Sequence, residues 1–318
     1  MRLAADSGGP GEAIALRPPR KRRRRWGISF RRRIQFWGLG FVLPTLLFLA
    51  VFKYGPMVWA ITLSFEAYDI VSPPRYVGLD NYRALLSDPI FRETLLNTLV
   101  YIVGSTVLTT VVGLALALAI NTGIPGARTC MTAMFLTNLM PIIAVCLVWR
   151  FLLHPYGLVN QMLEPFGIGR INWLTNDWTA MPAIILVTVW RFAPYFMVVF
   201  LAAMLALPKD YFEAAELEGA GALRRFWHIT LPLLSPTIFF VVVVSGLLSA
   251  RIFLMPYIIT GGGPGNATRV LSMLIYETAF SYMKMGQAAA ISVVLFAIML
   301  VFTVFQMRFF LQREKFYS

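Results

Sequence analysis

Charge is scarce in this chain. Only 14% of its 318 residues are Asp, Glu, Lys or Arg, while 58% are hydrophobic; an average soluble domain carries roughly 25% charged residues. A soluble globule of this length could not cover its surface with so few polar side chains. That excludes an ordinary cytosolic enzyme, a disordered chain and a fibre, and leaves a polytopic membrane protein. Cysteine is scarcer still: Cys130 and Cys146 share one apolar segment, where a straight helix would hold them about 24 Å apart. That is too far for a bridge, so no disulfide or metal framework is expected. The two histidines, His154 and His228, lie far apart and on opposite expected faces, which leaves no basis for metal ligation or histidine catalysis. No Gly-Lys-Ser/Thr follows Gly261–Gly263 or occurs elsewhere as a phosphate loop, so the chain is expected to have no ATPase of its own.

Six apolar stretches reach spanning length: about 34–57, 95–120, 130–153, 181–206, 236–259 and 288–310. Each is long enough to cross ~30 Å of hydrocarbon with some tilt. Pro141 and Pro194 interrupt the third and fourth, as kinked membrane helices tolerate. All fifteen acids fall outside these stretches. Residues 1–33 hold eleven basic residues and two acids, a net +9, concentrated at 20–25 and 31–33. A basic tail of this kind can bind nucleic acid, but beside an apolar span it reads as a juxtamembrane signal that keeps the N-terminus cytoplasmic. Six crossings then return the C-terminus to the same side. Gly and Pro at 8–11 and 18–19 predict a disordered tail, leaving 34–318 as the membrane domain. The outer loops become 58–94, 154–180 and 260–287, and the inner ones 121–129 and 207–235. No internal repeat of the kind found in many secondary carriers is visible.

The long inner loop 207–235 has its own pattern. Asp210 and Glu213 suit a capping box, and acids early with Arg224 and Arg225 late suit the helix dipole. Phe212, Ala215, Gly219, Leu223 and Phe226 recur at helical spacing. The expectation is one short amphipathic helix, closed by Pro232, whose small residues admit close approach by another surface. From physics alone it reads equally as a connecting helix on the headgroups. The order Glu213-Ala214-Ala215, then Gly219-Ala220, then Ile229, Leu231 and Pro232, resembles the EAA loop of membrane subunits of ATP-binding-cassette importers, with Glu218 where Asp is common. Val77–Tyr82, Asn97-Thr98, Thr260–Pro264 and Ala288–Ser292 extend the resemblance to the carbohydrate-uptake, maltose-permease-like branch. It implies an all-α, six-span, type I importer permease in the cytoplasmic membrane. It also implies that the loop docks into an ATPase subunit, and that ATP and Mg are bound there and not in this chain. The implied partners are a second permease, a different chain in most such assemblies, two ATPase copies and an external binding protein that delivers a sugar. No nucleic-acid partner is expected; the remaining contact is membrane lipid.

Polar residues inside the spans are the candidate pathway. Trp190, Tyr195, Asn138, Ser245 and Ser249 offer flat apolar faces and hydrogen-bonding groups at similar depth, as a sugar requires, with Arg191 nearer mid-depth and Arg251 in the outer half of its span as the charged candidates. Snorkelling, or pairing with helix-end carbonyls, is the structural account of the arginines, Arg150 included. Carried through the family motifs, the sugar-contacting positions fall on Asn138, Ile142, Phe192, Tyr195, Ser245, Leu248, Ser249 and Ile252. Tyr195, Ser245 and Ser249 are expected to converge. Glycerol phosphate or a polyol is the alternative cargo. An ion-driven carrier would place a carboxylate or His in the spans, and a non-transport membrane protein leaves the loop pattern unexplained.

Overall fold

The computed structural model describes residues 28–123 and 125–314. The expected disordered tail therefore lies outside the described residues up to position 27, whereas 28–33 already open the first helix. Chain contacts divide the molecule into one unit ending at Pro56 and a second beginning at Met57. The first holds α1 (Ile28–Leu49) and a π-turn, Ala50–Tyr54. Among the described residues, four helical stretches are long and apolar enough to cross a membrane, or six if two bent pairs each count as one span. On that count the expected all-α, six-span architecture is observed.

Beyond α2 (Gly55–Leu63), a minimal hairpin pairs β1 (Glu66–Ala67) with β2 (Arg75–Tyr76). Then come α3 (Asp80–Ser87) and the long α4 (Pro89–Asn121). Asp88 caps α4 by accepting from Ile90 N at 2.9 Å, with Pro89 in the first turn where its missing N–H costs nothing. The predicted third span is α5 (Ala127–Leu136) and α6 (Ile142–Leu152), which meet at 106° around Pro141. The straight-helix separation of the cysteines does not apply across this bend; both are free, Cys130 exposed and Cys146 buried. After α7 (Leu158–Leu163) comes α8 (Asp177–Leu205), capped by Asn176 through Trp178 N at 2.9 Å. It carries Pro182 and Pro194 within one helix.

The inner loop forms α9 (Asp210–Leu217), α10 (Ala222–Arg225) and α11 (Leu231–Leu233), followed by α12 (Ser235–Ala250). The turn into α12 is a 66° bend. Pro236 explains it: a continuous helix would drive the ring into the Pro232 carbonyl. The predicted fifth span does not run to 259. It stops at Ala250 and restarts as α13 (Leu254–Ile259), before α14 (Leu271–Tyr276) and α15 (Met285–Glu314). Three buried clusters hold the second unit together. Tyr101, Ile184, Val187 and Met255 centre one, Phe91, Leu271 and Ile291 another, and Phe196, Phe200 and Leu234 the third.

The motifs at 77–82, 97–98 and 260–264 meet near the start of α15, which carries the motif at 288–292. Asn81 Nδ2 donates to the Ser64 and Glu66 carbonyls, both at 2.9 Å, and Tyr82 OH to Ser64 Oγ at 2.7 Å. Asn97 Nδ2 donates to Asn266 O at 2.7 Å, and Thr98 Oγ1 accepts from Leu271 N at 2.8 Å. In the hairpin loop, Asp69 accepts from Ser72 N at 2.7 Å, which holds its carboxyl below the usual range. Gly286 donates its N–H to Tyr68 O at 3.2 Å, and its Cα lies so close to the Glu66 carbonyl that no side chain fits. Gly286→Ala should therefore destabilise the folded chain by about 1–3 kcal/mol. The expected result is a lower midpoint for loss of monodispersity in detergent, with Lys284→Ala unchanged.

Candidate functional site

The break between α12 and α13 builds a notch. Pro256 would clash with the Ile252 carbonyl in a continuous helix, so the backbone leaves the helix at Arg251–Phe253. Irregular backbone inside a membrane needs other partners. Here Ser272 Oγ bonds the freed Ile252 carbonyl, and Ile252 N donates to Ser249 O at 3.1 Å. Ser245, Leu248, Ser249 and Ile252 line the notch from this side, and Phe192, Thr188 and Phe196 from α8. Tyr101 and Thr109 close it from α4. Its free volume is about 10 Å³, room for one water and far below a ligand pocket of ~300–1,000 Å³.

The polar groups of the notch are hydroxyls, most of them paired. Tyr101 OH and Thr188 Oγ1 are 2.7 Å apart, and Ser105 Oγ donates to Ser249 Oγ at 2.8 Å. Thr188 also donates to Ile184 O at 2.9 Å, and Ser245 to Val242 O at 3.3 Å. Among the described residues, no ionised side chain lines the notch. Sequence reasoning missed the α4 wall. Its signal was present: Thr94, Thr98, Tyr101, Ser105 and Thr109, all buried, recur at spacings of three and four inside an apolar span.

The other candidates lie elsewhere. Arg191 is buried and donates to Met140 O at 3.1 Å and Thr137 O at 3.4 Å. It clamps the α5–α6 bend. Asn138 sits on the short 3-10 turn at that bend, its Nδ2 buried without a partner among the described residues. Ile142 opens α6 and packs against the central core. Trp190 packs edge-on against Trp149 at 5.3 Å. Arg251 is exposed, with one long contact, 3.4 Å, to its own helix at Leu247 O. Tyr195 does not converge with Ser245 and Ser249 as expected. It rides edge-on against Phe196 at 5.1 Å, and the Phe196 ring reaches the notch instead. The face that reaches it is 188, 192, 196, at i, i+4, i+8, and position 195 is turned about 100° away.

The inner loop is not one helix. Lys209, not Asp210, occupies the N-cap of α9, and no side chain caps it. α9 ends at a Schellman turn. Gly219 N donates to Glu216 O at 3.0 Å and Ala220 N to Ala215 O at 2.9 Å, with Gly219 at φ +73°. The apolar stripe is thereby cut in two. α10 then restarts and runs through a π-turn into α11, and an Arg225–Glu216 ion pair ties it back to α9. Pro232 lies inside this second segment rather than closing it. Glu213, Ala214 and Gly219 are exposed, while Ala215, Ala220, Ile229, Leu231 and Pro232 are half-buried. Leu217 and Leu223 stand 90% and 73% exposed on either side of the turn.

Comparison with known proteins identifies the family. Residues 94–314 match the family model described as binding-protein-dependent transport system inner membrane component. The chain is 36% identical over 279 residues to a probable ABC transporter permease protein of Bacillus subtilis, covering 85% of this chain and 94% of that one. It is 32% identical over 268 residues to a trehalose/maltose transport system permease protein of Thermococcus litoralis (83% and 90%). It is 35% identical over 274 residues to an sn-glycerol-3-phosphate transport system permease protein of Yersinia enterocolitica (84% and 92%). A bacterial alginate ABC transporter, solved in complex with an alginate pentasaccharide-bound periplasmic protein, superposes with a TM-score of 0.74. That match has 24% identity and covers 87% of this chain and 94% of that one.

The Schellman turn makes a measurable demand on position 219. Asn tolerates a left-handed backbone and Ala does not, so Gly219→Ala should cost the turn about 1 kcal/mol and Gly219→Asn less. Amide hydrogen exchange at 219 and 220 should quicken in the order Gly, Asn, Ala.

Proposed function

The chain belongs to the family of binding-protein-dependent transport system inner membrane components, and from that premise we propose that its notch passes a neutral sugar. It is a multi-pass permease subunit of a carbohydrate-type ABC importer. The observation that carries the choice of cargo is the uncharged, hydroxyl-lined notch with two phenylalanine rings. A pyranose presents a flat C–H face to such rings and exchanges hydroxyl bonds with such walls. Glycerol phosphate, the cargo named for one relative, calls for a cation at the site. The buried guanidinium nearest in sequence to Phe192, Arg191, is instead committed to two carbonyls.

The notch is closed to all but a water-sized volume, so transport proceeds by alternating access: α8 and α12 separate to admit sugar from one side and then the other. The energy comes from a separate ATPase, which binds ATP and Mg and grips the α9–α10 turn. Leu217 and Leu223 present its apolar contacts. The full assembly is two permease chains, different from one another, with two ATPase copies and an external binding protein. Both termini are cytoplasmic, held there by the +9 N-terminal segment.

Orientation is checked by thiol labelling in a background lacking Cys130 and Cys146. Gly169→Cys should react with an impermeant reagent added outside, and Glu218→Cys should not; the reverse pattern rejects the topology and the coupling role together. Function is checked in the complete complex. Gly219→Arg should abolish uptake while the subunit still inserts, with the ATPase dissociated or hydrolysing without transport. Ser249→Leu should lower sugar-stimulated ATP hydrolysis by weakening the site about tenfold. Normal transport by Ser249→Leu would place the path outside this notch.

A further inference from the structure

Four aromatic rings outside the notch form a continuous row. Phe253, the residue after Ile252 at the helix break, stacks on Tyr257 at 5.0 Å and touches Tyr276 at 5.2 Å. Tyr276 meets Tyr257 edge-on at 5.9 Å and Phe280 at 5.3 Å. Phe280 lies on the π-turn that follows α14, just before the Lys284–Gly286 corner that pairs with the hairpin. The row thus climbs from the notch to the end of the bundle where the motif-bearing loops meet.

Phe253 packs against the central core, but the other three rings do not belong to it. Tyr257, Tyr276 and Phe280 are 42%, 40% and 59% exposed, and neither phenol hydroxyl has a hydrogen-bond partner among the described residues. The frame beneath them is fixed. Ser272 Oγ ties α14 to the Ile252 carbonyl, and Arg269 Nε pairs with Glu277 at 3.3 Å, both groups largely buried. A row of half-exposed aromatic faces with free hydroxyls, starting at the residue next to Ile252 of the hydroxyl-lined notch, matches a chain of pyranose rings better than acyl chains, which use neither flat faces nor donors.

We infer that Tyr257, Tyr276 and Phe280 form a stacking track that receives a neutral oligosaccharide and feeds it to the notch. The inference rests on the sugar reading above, and its signature is dependence on cargo length. The test uses the complete complex in vesicles and neutral hexose and pentose oligosaccharides, from disaccharides to hexasaccharides. The readout is the concentration that half-maximally stimulates ATP hydrolysis. Tyr276→Leu and Phe280→Leu keep apolar bulk but lose the flat face. Each should raise that concentration about threefold to tenfold for the longest active sugar, and little for the disaccharide. Tyr276→Phe should stay near wild type for stacking. Unchanged values for every active sugar overturn the track. So does a loss equal at all lengths with poor assembly, which assigns the rings to packing against lipid or the second permease. Either result leaves the importer reading standing. If no sugar stimulates the wild-type complex, the carbohydrate reading falls and the track falls with it.

Discussion

Every backbone carbonyl that a membrane helix releases must find a donor inside the protein, and this constraint organises the molecule. The chain breaks its spans at two places near the candidate pathway, around Pro141 and around Arg251–Phe253. Each break frees carbonyls, and each has a dedicated side chain to receive them. Arg191 takes those of Thr137 and Met140, and Ser272 takes that of Ile252. Neither donor is local in sequence to its acceptor. The breaks therefore pin α8 to α5 and α14 to α12, and the same bonds that allow irregular backbone in the bilayer also set the walls of the notch.

Much of this was legible in the residue order. Composition and run length gave the membrane class and the span count, because the hydrophobic requirement acts on whole segments. Ser245 and Ser249 were placed together by their helical spacing, and Phe192, Leu248 and Ile252 were added through the family resemblance. The errors in the fifth span's bounds have a common origin in proline. Pro236 and Pro256 sit within or beside an apolar run that reads as one span, and hydropathy does not register the carbonyl four residues earlier that each one displaces. Tyr195 was misplaced by one position, which on a helix is a large rotation. The α4 hydroxyl stripe was overlooked because Thr and Ser scarcely lower the hydropathy of a run.

The inner loop teaches the same lesson from the other direction. Its family pattern was recognisable, but residue spacing did not show the chain reversal that Gly219 makes. Within this chain a Cβ at Gly219 meets nothing within 4 Å, so the demand the fold itself makes at this position is the left-handed backbone. The turn it makes, braced by Arg225 and Glu216, presents two short helices in place of one long one and leaves Leu217 and Leu223 uncovered on its flanks.

The paired hydroxyls of the notch have a further consequence. Tyr101 with Thr188, and Ser105 with Ser249, are bonds between groups that both donate and accept. When such a pair separates around a sugar, each member can rebind a sugar hydroxyl in place of its former partner. Bond count is conserved, and the net change per exchange is small compared with leaving a buried donor unmade. The closed and loaded forms of the notch thus resemble one another in polar enthalpy. On the path proposed above, such a gate would hold its cargo loosely, and the direction of passage would be set by whatever grips the far end of the helices.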